Sequence, residues 1–267
     1  MLTVASAMHI LYLSGIFSLA QSLISTAQTE MGRIINIIPT TYNILIFIIN
    51  TSSMKPTIAL FICDPKCSVQ SGNGIIKSLG QYYNFKLFSK NKVEDNFFDD
   101  VDMVAFPGGL GDSDSYKTIL NHNEKRIRQF VKTGGRYLGI CMGAYWAGSH
   151  YFNILDDVDA VQYIRRPKTD THRPHAKSID IFWKQTPMQM FFYDGCALVG
   201  NKQKFTTVAS YTNGDAMAIY QNRIGLIGCH PESEKFWYDG YSWMKSKWHQ
   251  GYHHELLLDF TDQLMRR

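Results

Sequence analysis

A cysteine between two glycines is the arrangement in this sequence that most directly suggests chemistry. Cys141 lies in Gly139-Ile140-Cys141-Met142-Gly143, after an apolar run and before a small-residue segment that can begin a helix. This spacing is typical of a nucleophile elbow, a tight strand-to-helix turn in which bulky neighbours would clash. The helix dipole favours the thiolate form of a thiol at that place, and the thiolate is the nucleophile. A buried structural cysteine in the same turn is the alternative interpretation.

A histidine and a glutamate near the C-terminus could complete such a site. His230-Pro231-Glu232 follows the apolar stretch 223–229. Residues two apart in an extended chain point to the same side, so we expect His230 and Glu232 to face one way. A carboxylate fixes the tautomer of a neighbouring imidazole, and the imidazole can then activate a thiol. Together with Cys141, these residues predict a cysteine–histidine–glutamate triad.

Alternating strands and helices are the elements that must position these side chains. The pattern predicts strands at 57–63, 84–88, 101–106 and 136–140, and helices at 73–82 and 115–132. Such alternation implies a parallel sheet covered on both faces, with a site beyond the carboxyl ends of the strands. Shorter strands, some antiparallel, are expected after residue 148, and a helix with an apolar stripe is expected at about 252–265.

Composition argues against several classes of function. A net charge of +4 on 267 residues is too small to indicate nucleic acid binding. The sequence contains no glycine-rich phosphate-binding motif, so we expect no nucleotide cofactor. The histidines near residue 250 have metal-ligand spacing, but an exposed helix start with polar residues explains them more simply. We therefore expect neither a metal nor a cofactor.

The five cysteines are irregularly spaced, which is typical of free thiols in a reducing, cytoplasmic compartment. Cys63 and Cys67 lie four apart, but no second close pair completes a zinc site. Cys63 and Cys229 end apolar strands and are expected to be shielded. Cys67 is expected in a loop, where exposure would make it the main rival of Cys141 for alkylating reagents.

The first 54 residues differ from the rest, because they contain only two charged residues, Glu30 and Arg33. Three interpretations stay open: an export signal without its basic region, a membrane-associated leader, or residues translated from a start upstream of Met54. We favour the upstream start over membrane association. The predicted organisation is therefore an apolar leader at 1–54 and one α/β domain at 55–267.

Several motifs resemble the biotin–protein ligase N-terminal domain family, within the class I glutamine amidotransferase-like superfamily. The residues that carry the resemblance are 106–109, 112, 116, 130–141, 192–195 and 230–232. The resemblance implies a flavodoxin-like three-layer α/β sandwich with a mostly parallel central sheet. It also implies Cys141 as nucleophile, His230 as base and Glu232 as the group that orients the base. Backbone N–H groups of Gly109 and Met142 would form the oxyanion hole.

The resemblance also indicates where a substrate would bind. The residues expected to contact it are Asp112, Tyr116, Tyr145 and Tyr193. Glutaminases of this class usually carry a glutamine four residues after the nucleophile, where this chain has Tyr145, so we do not expect ordinary glutamine hydrolysis. No stretch resembles the biotin loop of the ligase, so ligase activity is not expected either. Two classes of function remain: a hydrolase or transferase of a small amide or acyl substrate, and a non-catalytic module that binds a metabolite or a protein.

Overall fold

A large mixed sheet is the centre of this protein. The computed structural model describes residues 55–63, 67–109, 115–120 and 122–267, of which Lys55–Arg267 form one compact unit. The strands β1 to β11 are Thr57–Phe61, Asn84–Phe88, Met103–Phe106, Arg136–Ile140, Val158–Gln162, Lys177–Trp183, Thr186–Phe192, Cys196–Gly200, Thr206–Tyr211, Ala216–Gln221 and Ile224–Ile227. The helices α1 to α6 are Val69–Leu79, Ser115–Leu120, Glu124–Lys132, Met142–Trp146, Lys235–Asp239 and Tyr252–Met265.

The order of the strands divides the sheet into a parallel and an antiparallel half. The main path runs β2-β1-β3-β4-β11-β10-β9-β6-β7, with β8 paired to both β10 and β5. The pairs from β2 to β11 are parallel, and helical segments connect several of those strands. Pairs beyond β11 are antiparallel. Short turns join some of them, such as Lys184-Gln185 between β6 and β7, whose two residues both have positive φ.

Side chains of the parallel strands alternate between two apolar layers. In β1, Ile58 and Leu60 pack on the side of α1 and α6, whereas Ala59 and Phe61 pack on the side of α2, α3 and α4. This alternation follows from the two-residue period of an extended chain. The sheet is thus covered by helices on both faces, and the predicted α/β sandwich is confirmed.

Three neighbouring parallel strands bring the chemically active segments to one edge of the sheet. β4 pairs with β3 on one side and with β11 on the other. Cys141 follows β4 directly, Gly108 lies two residues after β3, and His230 lies three residues after β11. Because parallel strands end at the same edge, these segments meet at the carboxyl end of the sheet. The predicted leader at 1–54 lies outside the described residues, and no described helix is long and apolar enough to cross a bilayer.

Candidate active site

The turn that carries Cys141 is strained and closely packed. Cys141 has φ 49° and ψ −104°, a conformation that non-glycine residues rarely adopt. A Cβ atom on Gly139 would lie 2.4 Å from the carbonyl oxygen of Gly143, and one on Gly143 would lie 2.1 Å from that of Phe106. Both glycines are therefore needed for β4 and α4 to approach so closely. The N–H of Cys141 donates to Ile227 O at 2.8 Å, which holds the turn against β11.

The imidazole of His230 is held by a carboxylate two residues away. Nδ1 of His230 lies 2.8 Å from Oε1 of Glu232, and both side chains are buried. His230 Nε2 is also buried and has no hydrogen-bond partner within the described residues. Burial lowers the pKa of His230, but the nearby charges of Cys141 and Glu232 outweigh it, so the pKa is raised overall. The imidazole is thus oriented and able to carry a positive charge.

Ser71 links Glu232 to the loop after β3, a role that sequence reasoning missed. Its buried hydroxyl donates to Glu232 Oε1 at 2.5 Å and accepts from the N–H of Gly108 at 2.9 Å. α1 presents this serine from its first turn, where Ser68 caps the helix. A Cβ on Gly74 would lie 2.2 Å from the carbonyl oxygen of Glu232, so the helix touches that residue closely. No local signal in the sequence connects Ser71 with a residue 161 positions away.

The two residues predicted for the oxyanion hole, Gly109 and Met142, lie in the segments that follow β3 and β4. Gly109 and His230 line the same cavity. A Cβ on the preceding Gly108 would lie 2.5 Å from Cε1 of His230, so the glycine loop packs against the imidazole. Met142 is buried and begins α4 directly after Cys141. Both positions suit the predicted role, which stays a prediction.

A cavity of about 400 Å³ opens in front of His230. Its apolar wall consists of Phe191, Tyr193, Phe236, Trp237 and Tyr241. The rings of Phe191 and Trp237 meet the imidazole edge to face, with centroids 5.8 and 5.4 Å away. No Asp, Glu, Lys or Arg is among the described residues that line the cavity. Apart from His230, the described part of the lining is therefore aromatic and neutral.

The segment 193–194 covers the thiol, and Tyr145 fastens it. Sγ of Cys141 donates to the carbonyl oxygen of Tyr193 at 3.5 Å. The hydroxyl of Tyr145 donates to the carbonyl oxygen of Asp194 at 3.2 Å, and Gln162 Nε2 donates to the Asp194 carboxylate at 3.0 Å. Burial raises the pKa of Tyr145, so its hydroxyl stays a neutral donor. The structure places Tyr193 in the wall of the cavity, whereas Tyr145 is not among the described residues that line it.

Of the other residues expected to contact substrate, Tyr116 lies elsewhere and Asp112 lies outside the described residues. Tyr116 is buried in an aromatic cluster with Trp146, Tyr151 and Phe152, with ring centroids 5.8, 5.2 and 5.0 Å away. It does not line the cavity in front of His230. Its ring instead packs α2 against α4, because an amphipathic tyrosine stabilises a core as readily as it binds a ligand.

The exposure of two other cysteines is the reverse of the expectation. Cys67 is fully buried, with Sγ 3.7 Å from the carbonyl oxygen of Phe61, whereas Cys63 is partly exposed. Cys67 forms isolated bridges with both Cys63 and Gly109, and these draw it into the packed layer. Burial raises the pKa of the thiols of Cys67, Cys196 and Cys229. Cys63 is therefore the thiol that we expect to compete with Cys141 for alkylating reagents.

The histidines near residue 250 form a packed stack rather than an exposed helix start. The rings of His249 and His253 stack with centroids 3.8 Å apart, and His253 is buried. His254 Nε2 lies 3.0 Å from the carbonyl oxygen of Ser233, directly after Glu232. Among the described residues, no group of three or more metal-ligating side chains is placed to hold an ion. The stack connects α6 to the segment that carries Glu232.

Comparisons with known proteins agree with the fold. The family model described as "Biotin-protein ligase, N terminal" matches residues 65–162, which confirms the resemblance over that range. A glutamine amidotransferase of Thermotoga maritima has 10% identity and a TM-score of 0.58, with 80% of this chain and 100% of that chain covered.

A putative GMP synthase component of Thermoplasma acidophilum gives 13% identity and a TM-score of 0.51, over 80% of this chain and 100% of that chain. A further glutamine amidotransferase has 14% identity and a TM-score of 0.50, with 66% of this chain and 90% of that chain covered. At these identities the likeness establishes the glutamine amidotransferase-like fold alone. No curated protein matches the chain.

Proposed function

We propose that this protein is a cysteine-dependent hydrolase or acyltransferase that acts on a small amide or related acyl substrate. The observation that carries the proposal is the strained, glycine-flanked turn of Cys141 at the sheet edge where the buried His230–Glu232 pair lies. Strained backbone at the end of a strand is typical of positions where a nucleophile must be presented. A purely structural cysteine would gain nothing from a neighbouring charged imidazole.

The proposed reaction has two steps. In the first, His230 Nε2 takes the thiol proton, and Sγ of Cys141 attacks the carbonyl carbon of the substrate to form an S–C bond. The C–N bond then breaks, and the imidazolium returns the proton to the leaving amine. In the second step, water or an acceptor amine attacks the thioester and releases the thiol. Glu232 orients His230, and N–H groups of Gly109 and Met142 receive the developing oxyanion.

Glutamine itself is a poor fit to this site. In related glutaminases a glutamine side chain four residues after the nucleophile helps to hold the substrate, and here Tyr145 hydrogen-bonds Asp194 instead. Apart from His230, which the proposed reaction uses, the described cavity lining has no charged side chain that could pair with an α-ammonium or α-carboxylate group. A site without those partners discriminates against a ligand that needs them. We therefore expect little glutaminase activity even at millimolar glutamine.

The test is to trap the thioester. The full chain is incubated with a panel of primary amides, anilides and thioesters that includes glutamine, and intact mass spectrometry reports acyl adducts and released product. We expect an adduct on Cys141 with at least one uncharged substrate, none with Cys141→Ala, and an unchanged yield with the control Cys63→Ala. Rapid ammonia release from glutamine would contradict the exclusion of glutamine. Absence of any adduct or turnover would instead favour a non-catalytic binding module, because Cys141 is almost completely covered.

A further inference from the structure

Exposed aromatic side chains extend from the cavity to the surface. Four large aromatic residues that would ordinarily be buried are 39 to 65% exposed: Tyr193, Phe236, Tyr241 and Trp243. We call these four residues the aromatic strip. Water makes poor contact with such rings, so a contiguous group of them in a soluble protein marks a place where another molecule binds.

The aromatic strip is continuous with the proposed catalytic residues. At its inner end, Tyr193 supplies the carbonyl oxygen that accepts from Cys141 Sγ. Phe236 contacts Trp237, which in turn contacts the His230 ring, with centroids 6.3 and 5.4 Å apart.

At its outer end, Tyr241 lines the cavity and packs against Trp243 with ring centroids 5.0 Å apart. A ligand whose carbonyl group is near His230 can therefore extend outward over apolar rings.

The positions of the charges indicate what kind of ligand this is. Apart from the imidazole of His230, the described lining holds hydroxyl, amide and backbone groups, such as those of Ser68, Gln70 and Gly109, but no carboxylate, ammonium or guanidinium group. A charged substrate group placed there would lose its hydration without gaining a partner, which costs several kcal/mol. An apolar group would instead gain by leaving water, roughly in proportion to the area it buries.

We infer that the substrate's acyl part is an uncharged, extended aliphatic or aromatic group, and that this group lies on the aromatic strip. The inference rests on the proposed function, because Cys141 and His230 define where the reacting carbonyl lies. Burial of one methylene is worth about 0.8 kcal/mol, which corresponds to about a fourfold change in affinity. Affinity should therefore rise with chain length until the chain passes Trp243.

The experiment measures binding by calorimetry with the full-length Cys141→Ala variant, which cannot turn the ligand over. The ligands are straight-chain primary amides from acetamide to octanamide, with 6-aminohexanamide and adipic acid monoamide as charged analogues of hexanamide. We expect about fourfold tighter binding per added methylene and at least tenfold weaker binding of both charged analogues. Phe236→Ser and Trp243→Ser, each made in the Cys141→Ala variant, should reduce the gain in affinity per added methylene.

The matched control is Phe182→Ser, which removes another exposed aromatic ring, 41% exposed, on β6 and outside the cavity lining. Phe182→Ser should leave the affinity of every amide in the series unchanged. Affinity that does not depend on chain length, or equal binding of the charged analogues, would overturn the inference and leave the aromatic strip to another occupant such as a protein. The two proposals fail separately: thioester formation without a length dependence refutes this inference, whereas a length dependence without any thioester in the wild-type chain refutes the hydrolase.

Discussion

Cys141 combines an unfavourable backbone conformation with a position at the sheet edge where His230 also lies. A non-glycine residue in such a conformation costs on the order of 1–3 kcal/mol and persists only where its surroundings enforce it. Here the enforcement comes from contacts of Gly139 and Gly143 that leave no room for a Cβ. The thiol is also almost fully covered, and its hydrogen bond with Tyr193 must break before it can react.

Selective alkylation at low pH tests the activation of Cys141. Iodoacetamide at pH 6 should modify Cys141 before the other cysteines, because the raised pKa of His230 keeps an imidazolium there to stabilise the thiolate. Peptide mass spectrometry measures the rate at each cysteine. His230→Ala should slow the labelling of Cys141 at pH 6 far more than at pH 9, where ordinary thiols ionise.

The same labelling in Cys63→Ser controls for Cys63, which is the one cysteine in the described structure that is not buried. The alkylation rate of Cys141 in Cys63→Ser should equal the rate in the wild-type chain. A Cys141 rate that is indifferent to His230→Ala would show that the turn is a scaffold and that the imidazole does not activate the thiol.

Ser71 offers a second test at the level of single residues. Ser71→Ala leaves the buried N–H of Gly108 without its acceptor and removes a donor from Glu232, so it should lower the free energy of unfolding by roughly 1–3 kcal/mol. It should also slow the pH 6 labelling of Cys141, since Glu232 would hold His230 less firmly. Ser78→Ala on the same helix is the control, because Ser78 donates only to Gly74 O within α1. A loss of stability with unchanged labelling would limit Ser71 to packing.

Two helices hold the segment that carries His230 and Glu232. α1 supplies Ser71 and lies against the backbone of Glu232 through Gly74. α6 begins beside the same segment, where His254 Nε2 lies within hydrogen-bond distance of Ser233 O. Displacement of either helix should therefore disturb the pair of His230 and Glu232 even though neither helix supplies the nucleophile.

The histidine stack at the start of α6 predicts a loss of stability in mild acid. Burial and neighbouring histidines lower the pKa of His249 to about 4 and that of His253 to about 3. Below pH ~6.5 the unfolded chain takes up these protons and the folded chain does not, so stability falls from about pH 6.5 toward pH 4. The slope is at most about 1.4 kcal/mol per pH unit for each histidine.

Urea unfolding at pH 7.5 and pH 5 measures this effect. His253→Gln should reduce the difference between the two pH values, whereas His122→Gln, at an exposed position, should leave it unchanged. His230 has a raised pKa, so the folded chain keeps its proton while the unfolded chain takes it up around pH 6.5, and this opposes the trend between pH 7.5 and about pH 6. The comparison of His253→Gln with the wild-type chain cancels this contribution, because both chains contain His230. Equal pH dependence in His253→Gln and the wild-type chain would refute the role of the stack.

At the scale of the whole molecule, the described core is formed within Lys55–Arg267. β1 begins at Thr57, whose N–H donates to Asp102 Oδ2 at 2.8 Å, and both faces of the sheet are covered by helices of this part. We expect a chain that begins at Met54 to be soluble and to unfold in one cooperative transition, as measured by circular dichroism and size-exclusion chromatography. Aggregation of that chain, with the full chain monodisperse, would show that residues 1–54 belong to the fold.

The sequence by itself determined those features whose physical cause is local. Apolar runs and their alternation with helical patterns specified the parallel strands, because a strand or helix needs a periodic apolar face. Gly139 and Gly143 revealed the turn at Cys141, since only glycine permits such close approach. The spacing of His230 and Glu232 placed both side chains on one side, and the structure shows them 2.8 Å apart.

Only the tertiary structure decided what depends on residues far apart in the chain. Ser71 meets Glu232 across 161 positions, Cys67 is buried by its bridge to Gly109, and Tyr116 packs into an aromatic cluster outside the described cavity lining. The aromatic strip likewise exists because separate segments converge at one sheet edge. Such contacts arise when long loops close and elements pack, and no local periodicity or turn signal encodes which side chains will then be neighbours.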